Sequence, residues 1–178
     1  MPVQVYSLYI FDRHTECIYS KQWFETPAPA PSALPHDQHQ QANGNGPAMA
    51  TAGEQQQQQQ PNKPRRNKGA DDAKLIFGTV FSLRNMVRKL GGDDDAFISF
   101  RTSQYKLHYY ETPTNLRFAL LTEPGALSMR NVLHQIYINL WVEYVVKNPL
   151  SPVEHKGGEG VRNEMFELGL DKFIRGLM

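Results

Sequence analysis

Residues 101–123 read RTSQYKLHYYETPTNLRFALLTE, two apolar runs joined by the turn Thr112-Pro113-Thr114-Asn115. A connection this short leaves the second run no path except back alongside the first, so the pair predicts antiparallel strands. Strand side chains alternate between faces: Tyr105, Leu107 and Tyr109 point one way, His108 and Tyr110 the other. An antiparallel sheet ordinarily needs only one apolar face. Apolar and aromatic groups on both faces predict a sheet buried from both sides, the middle of three layers.

Immediately upstream, AFISFRTS reads as a third strand of the same meander. Before it, DDAKLIFGTVFSLRNMVRKLGG begins with Asp71 and Asp72, carries Arg88 and Lys89 near its end and stops at Gly91 and Gly92, the charge and stop signals of a helix. At the amino end, residues 3–11 (VQVYSLYIF) place Val3, Val5, Tyr9 and Phe11 on one face and Tyr6, Leu8 and Ile10 on the other. CIYSKQWF then pairs with this strand through a hairpin loop longer than two residues. Downstream, EPGA is a turn, a long helix runs from about Leu127 to Lys147 and is stopped by Pro149, and VRNEMFELGLDKFIRGL forms a last amphipathic helix. The order ββαβββαα gives one α/β (α+β) domain over residues 1–178, a three-layer α/β/α sandwich on a five-stranded antiparallel sheet. Between about 25 and 69 the chain turns to Pro, Ala and small polar residues with six consecutive glutamines; it cannot bury enough apolar surface to offset its ordering entropy and reads as a disordered Gln/Pro-rich insertion.

Bulk properties narrow the function. The net charge of +1 shows no basic bias toward nucleic acid, and the basic cluster Lys63, Arg65, Arg66 and Lys68 reads as a solvated linker end. Cys17 is the only cysteine, which excludes an internal disulfide framework. The amino terminus lacks the pattern of a secretory signal and no segment has the apolar length of a membrane span, so a soluble, cytoplasmic protein is expected. Glycine pairs at 91–92 and 157–158 match no phosphate-binding loop. His36 and His39 fall in the insertion, and His134 is isolated on its helix, so no metal and no cofactor is expected. His108 beside Tyr109 and Tyr110 admits an acid–base reading but more simply packs and makes one hydrogen bond. With no catalytic group indicated, function is expected to reside in surfaces.

Counted at 100° per residue, Leu75, Ile76, Val80, Leu83, Met86, Val87 and Leu90 fall within roughly 140° of the first helix and form its expected core stripe. Phe77 and Phe81 lie beyond its edge, one turn apart, in the sector of Arg84 and Arg88. Aromatic and arginine side chains off the core face are the anchor composition of a protein interface; the alternative tucks the rings under the insertion or a sheet edge. Gly78 costs helix stability, a cost commonly explained by close approach of another backbone. On the long helix Ile138, Trp141, Val142 and Val145 form a second apolar sector, making Trp141 and Val145 further candidates for a partner surface unless the last helix covers them.

The stretches VYSLYIFDR, LIFGTVFSLRNMVRKL, SFRTSQYKLHYYETPTNLRF and NVLHQIYINLWVEYVVKNPLSP together resemble the longin-like small subunits of the TRAPP (transport protein particle) vesicle-tethering complex, of the Bet-five type. The likeness spans nearly all of the chain outside 25–70, more loosely the last helix. It implies a longin or SNARE-like fold and membership of an assembly at Golgi and ER–Golgi membranes, touching membrane only indirectly. It further implies pairing with a second longin-like subunit through the first helix and a sheet edge, contact with a Bet-three-type subunit, and guanine nucleotide exchange on a Rab GTPase by the assembly. The ridge of Phe77, Phe81, Arg84 and Arg88 matches the pairing position. Such a chain is a non-enzymatic scaffold. The alternatives are a free-standing longin-like regulator or adaptor-type subunit that binds peptide segments, and a small-molecule enzyme on a profilin-like sandwich.

Overall fold

The computed structural model describes residues 2–24 and 68–178. Strands β1 (Val5–Phe11) and β2 (Cys17–Gln22) precede helix α1 (Lys68–Gly91), followed by β3 (Ser99–Arg101), β4 (Lys106–Glu111), β5 (Arg117–Thr122), α2 (Arg130–Ile136) and α3 (Glu164–Arg175). The sheet order is β2-β1-β5-β4-β3, antiparallel throughout. The insertion expected at 25–69 lies outside the described residues, as do His36, His39 and the basic cluster, except that Lys68 and Gly69 open α1.

Both hairpins close the same way. Asn115 donates its amide to Thr112 O at 3.0 Å and Thr15 donates to Asp12 O at 3.2 Å; Asn115 and Thr15 then turn into the left-handed region at φ 61° and 73°. This is a three-residue loop built on a tight turn, whose twist suits antiparallel strands. Thr112 adds a side-chain clamp, its Oγ1 accepting from Leu116 N at 3.0 Å. In α3, Asn163 Oδ1 accepts from Phe166 N at 2.8 Å and sets the start of the helix.

Both sheet faces are covered. α1 lies over Tyr6, Tyr9, Phe11, Leu107, Tyr109, Ala119 and Leu121, while α2 and α3 lie over Val5, Leu8, Ile10, Phe118 and Leu120. β1 departs from strict alternation. A bulge between Val5 and Ser7 in its pairing with β5 exchanges the faces of Val5 and Tyr6. Tyr6 therefore sits with Tyr9 and Phe11, and Val5 with Leu8 and Ile10, reversing the assignment of these two residues from period-two counting.

The second helix holds a second departure. After Ile136 it continues without a break into a π-helical segment, Tyr137–Val146, closing with Lys147 N donating to Val142 O at 2.9 Å. A turn that closes over five residues advances each side chain by less than the 100° of an α-helix, which rotates later residues back toward the sheet. Trp141 and Val145 are accordingly 4% and 1% exposed. Trp141 stands edge-on to Phe118, His155 and Phe166. These two residues belong to the core, correcting their assignment to a partner surface.

His108 is a structural residue. Met129 N donates to its Nδ1 at 3.3 Å, so the ring proton resides on Nε2 and is donated to Thr122 Oγ1 at 3.0 Å. Burial, with a smaller contribution from the Lys106 charge, pulls its pKa down to about 4. The neutral ring is thus the native form, and an unfolded histidine titrates near ~6.5. The stability it contributes is complete above that pH and is lost as pH falls toward about 4. Between pH 7 and 4.5 the fall in unfolding free energy of the wild type is expected to exceed that of His108→Gln by roughly 2 to 3 kcal/mol; urea denaturation at the two pH values measures it.

Candidate partner-binding surface

The surface is built on α1. Asp71 in its first turn and Arg88 and Lys89 in its last complement the helix dipole, and Gly92, at φ +96°, ends it. Its core face is not the stripe expected from the sequence. Ala73 and Val80 are buried, with Ile76, Phe77, Leu83 and Val87 packed beside them. Leu75, Met86 and Leu90, assigned to the core by periodicity, are 70%, 50% and 82% exposed. Apolar residues cover so much of the helix circumference that periodicity cannot say which arc meets the sheet; Phe77 decides it, its ring lying 5.3 Å from that of Phe11 at the end of β1.

Phe77 is therefore an anchor to the protein's own sheet, part-buried, and Phe81 stacks on its outer side with ring centroids 5.9 Å apart. Phe81 itself is 50% exposed. One turn on, Arg84 is held inward: Nε and one terminal nitrogen donate to the two Glu111 carboxylate oxygens at 2.7 and 3.1 Å, and Arg117 Nε reaches Glu111 Oε1 at 3.4 Å. Burial alone would raise the Glu111 carboxyl; the hydrogen bonds and charge of Arg84, joined by Arg117, outweigh it and hold the group below the usual carboxylate range. This half-buried fork fixes α1 against β4 and β5. Arg88, a turn further, is exposed. Of the four ridge residues named from the sequence, Phe77 and Arg84 brace the helix on the sheet, and Phe81 and Arg88 face outward.

The helix therefore displays apolar groups on both flanks of its core face: Phe81 on one, Leu75, Met86 and Leu90 on the other. Between them Gly78 has nothing within 4 Å of the position a Cβ would take, so no part of the protein's own described chain explains a glycine there. Seven residues, 92–98, link α1 to β3, and β3 is an edge strand with β4 on one side only. Ile98, just before it, is also exposed. Helix flank and open strand edge thus adjoin in the chain.

Sequence reasoning missed the contribution of Leu75, Met86 and Leu90 because it placed them inward, and missed Glu111 because nothing local ties residues 84 and 111. The remaining polar groups offer little chemistry. Among the described residues no cluster of three or more His, Cys, Asp or Glu could hold a metal ion. A cavity of about 640 Å3 is an open groove between β2 and the start of α1. Cys17 lines it, but burial pushes its thiol up, and Sγ is hydrogen-bonded to Tyr19 O at 3.4 Å, so the sulfur is held as the unreactive thiol. No helix among the described residues is long and apolar enough to cross a membrane.

An antiparallel five-stranded sheet walled by helices on both faces is the build of a longin-like domain. The chain belongs to the Sybindin-like family, whose profile matches residues 5–177. It is similar to the transport protein particle subunit bet5 of Schizosaccharomyces pombe, 42% identical over 97% of each chain. Trafficking protein particle complex subunit 1 of Homo sapiens is 34% identical over 97% of this chain and 93% of the relative. Subunit BET5 of that complex in Saccharomyces cerevisiae is 31% identical over 94% and 86%.

Proposed function

We propose that this protein is a non-enzymatic scaffold subunit of a TRAPP-like vesicle-tethering assembly, seating α1 and the β3 edge against a second longin-like subunit. The names of its relatives support the complex, and the observation that carries the surface is α1: its core face is filled, yet Phe81, Leu75, Met86 and Leu90 remain in solvent. Four large apolar groups exposed on a single helix mark a candidate interface. A Bet-three-type subunit would meet another face of the domain. The assembly as a whole would bind a Rab GTPase and favour its nucleotide-free form by differential affinity for the two states, in ER-to-Golgi transport, peripheral to the membrane. This chain contributes surface to that platform and no reacting group.

Affinity capture of the tagged full-length chain from native extract tests the reading. A second longin-like subunit in amounts comparable to the bait supports it. Recovery of the bait alone, as a free 20.3 kDa species, overturns it in favour of the free-standing regulator.

A further inference from the structure

A second, polar feature lies where α1, β4 and α2 meet. Arg84 and Arg88 from α1, Tyr109 and Glu111 from β4 and Arg130 from the start of α2 line a cavity of about 60 Å3 floored by Phe97. Arg130 belongs to the helical layer on the opposite face of the sheet from α1, so two layers send arginines into one space. Glu111 is already matched by Arg84 and Arg117. Arg88 has no carboxylate partner among the described residues, and Arg130 has only the face of the Tyr110 ring, 5.8 Å away. The cavity therefore carries an excess of positive charge with no protein group to balance it.

Tyr109 supplies an independent observation. Its side chain is 2% exposed and its ring is fixed against Phe97 at 5.6 Å. Its hydroxyl lies within reach of Glu111 and Arg84 and interacts with both, yet meets full hydrogen-bond geometry with neither. A buried hydroxyl left without a partner is costly and calls for one. Water alone would satisfy the hydroxyl and hydrate the two arginines, but would leave their charge unbalanced. An oxyanion satisfies all three: one oxygen accepts from Tyr109 while others accept from the planar donor forks of Arg88 and Arg130. The volume admits one tetrahedral group, being several times the roughly 10–15 Å3 that one water needs.

We propose that this cavity is a binding site for a single oxyanion of the phosphate class, held by Arg88, Arg130 and the hydroxyl of Tyr109, with Arg84 and Glu111 as its fixed wall. The site shares Arg88 with the outward ridge of α1 but does not rest on the pairing proposal, and it is tested on the isolated chain.

The test uses the full-length chain and inorganic phosphate, with chloride and acetate at matched ionic strength. Phosphate is expected to raise the thermal midpoint saturably, and chloride is expected not to. Arg88 and Arg130 are exposed, so R88Q/R130Q should fold normally while weakening phosphate at least about tenfold. Tyr109→Phe supplies a readout that a merely structural tyrosine would not. Without phosphate it should be as stable as wild type or more so, because it deletes an unsatisfied hydroxyl. With phosphate its stabilisation should require about three- to tenfold more ligand. Three results overturn the proposal: equal stabilisation by chloride, phosphate binding undiminished in R88Q/R130Q, or Tyr109→Phe destabilised in phosphate-free buffer. Acetate binding as tight as phosphate overturns the phosphate assignment as well.

Discussion

Phe81→Asp is expected to cut recovery of the second longin-like subunit at least about thirtyfold, the effect of losing a hot-spot residue worth about 2 kcal/mol or more. The ring stacks on Phe77 but is 50% exposed, so the domain gives up little of its own packing. The complex, by contrast, would have to desolvate a carboxylate where an aromatic ring had been buried. Urea midpoints of the variant should stay close to wild type while capture fails. Leu150→Asp is the control: Leu150 is 91% exposed but stands away from α1, and its substitution should leave capture unchanged. Equal losses from both variants would mean that unspecific surface damage, and not a defined ridge, had been measured.

Trp141→Ala is expected to act in the opposite way, lowering unfolding free energy by about 3–5 kcal/mol, the cost of deleting a buried aromatic. The indole fills the space between β5 and α3, edge-on to Phe118 and Phe166, with His155 closing its outer side. Denaturant unfolding of the purified variant measures the loss. Had Trp141 been an interface residue, stability would be near wild type and only capture would suffer. The pair of variants thus separates the residue that holds the domain together from the residue that joins it to another.

The contrast between Trp141 and Phe81 also shows what could be read from the chain alone. Antiparallel pairing within each meander followed from loop length and apolar alternation, and the demand for helices on both faces followed from Tyr109 and Tyr110 on opposite sides of β4; the pairing of β1 with β5 that joins the two meanders had no local signal. What escaped was rotation. The bulge at Val5–Ser7 exchanges two side chains between faces without any local sequence cue, because both residues suit either face. The π-helical winding after Ile136 turns Trp141 and Val145 inward, whereas counting at α-helical pitch turned them out. On α1 the error ran the other way: Leu75, Met86 and Leu90 were given to the core, although the sheet accepts the arc centred nearer Phe77. The apolar arc was legible; its orientation depends on the fit between Phe77 and Phe11, two residues separated by the whole insertion.

The same distance in sequence hides the polar contacts. Arg84 read as a free interface arginine until β4 brought Glu111 alongside it. Tyr109 read as a core aromatic, which it is; the isolation of its hydroxyl is a property of the fold and not of any local pattern. The surface therefore keeps its location but changes its membership: Phe81 and Arg88 remain outward, and three aliphatic residues join them on the other flank of the helix.

The most direct measurement places a photo-crosslinking amino acid at position 81 of the full-length chain in its native cells, with the same group at position 168, on the exposed side of α3, for comparison. One dominant adduct from position 81 to a second longin-like subunit, absent from position 168, is the expected result. No adduct from position 81, or adducts only to chains of unrelated build, would contradict the pairing of this domain through α1.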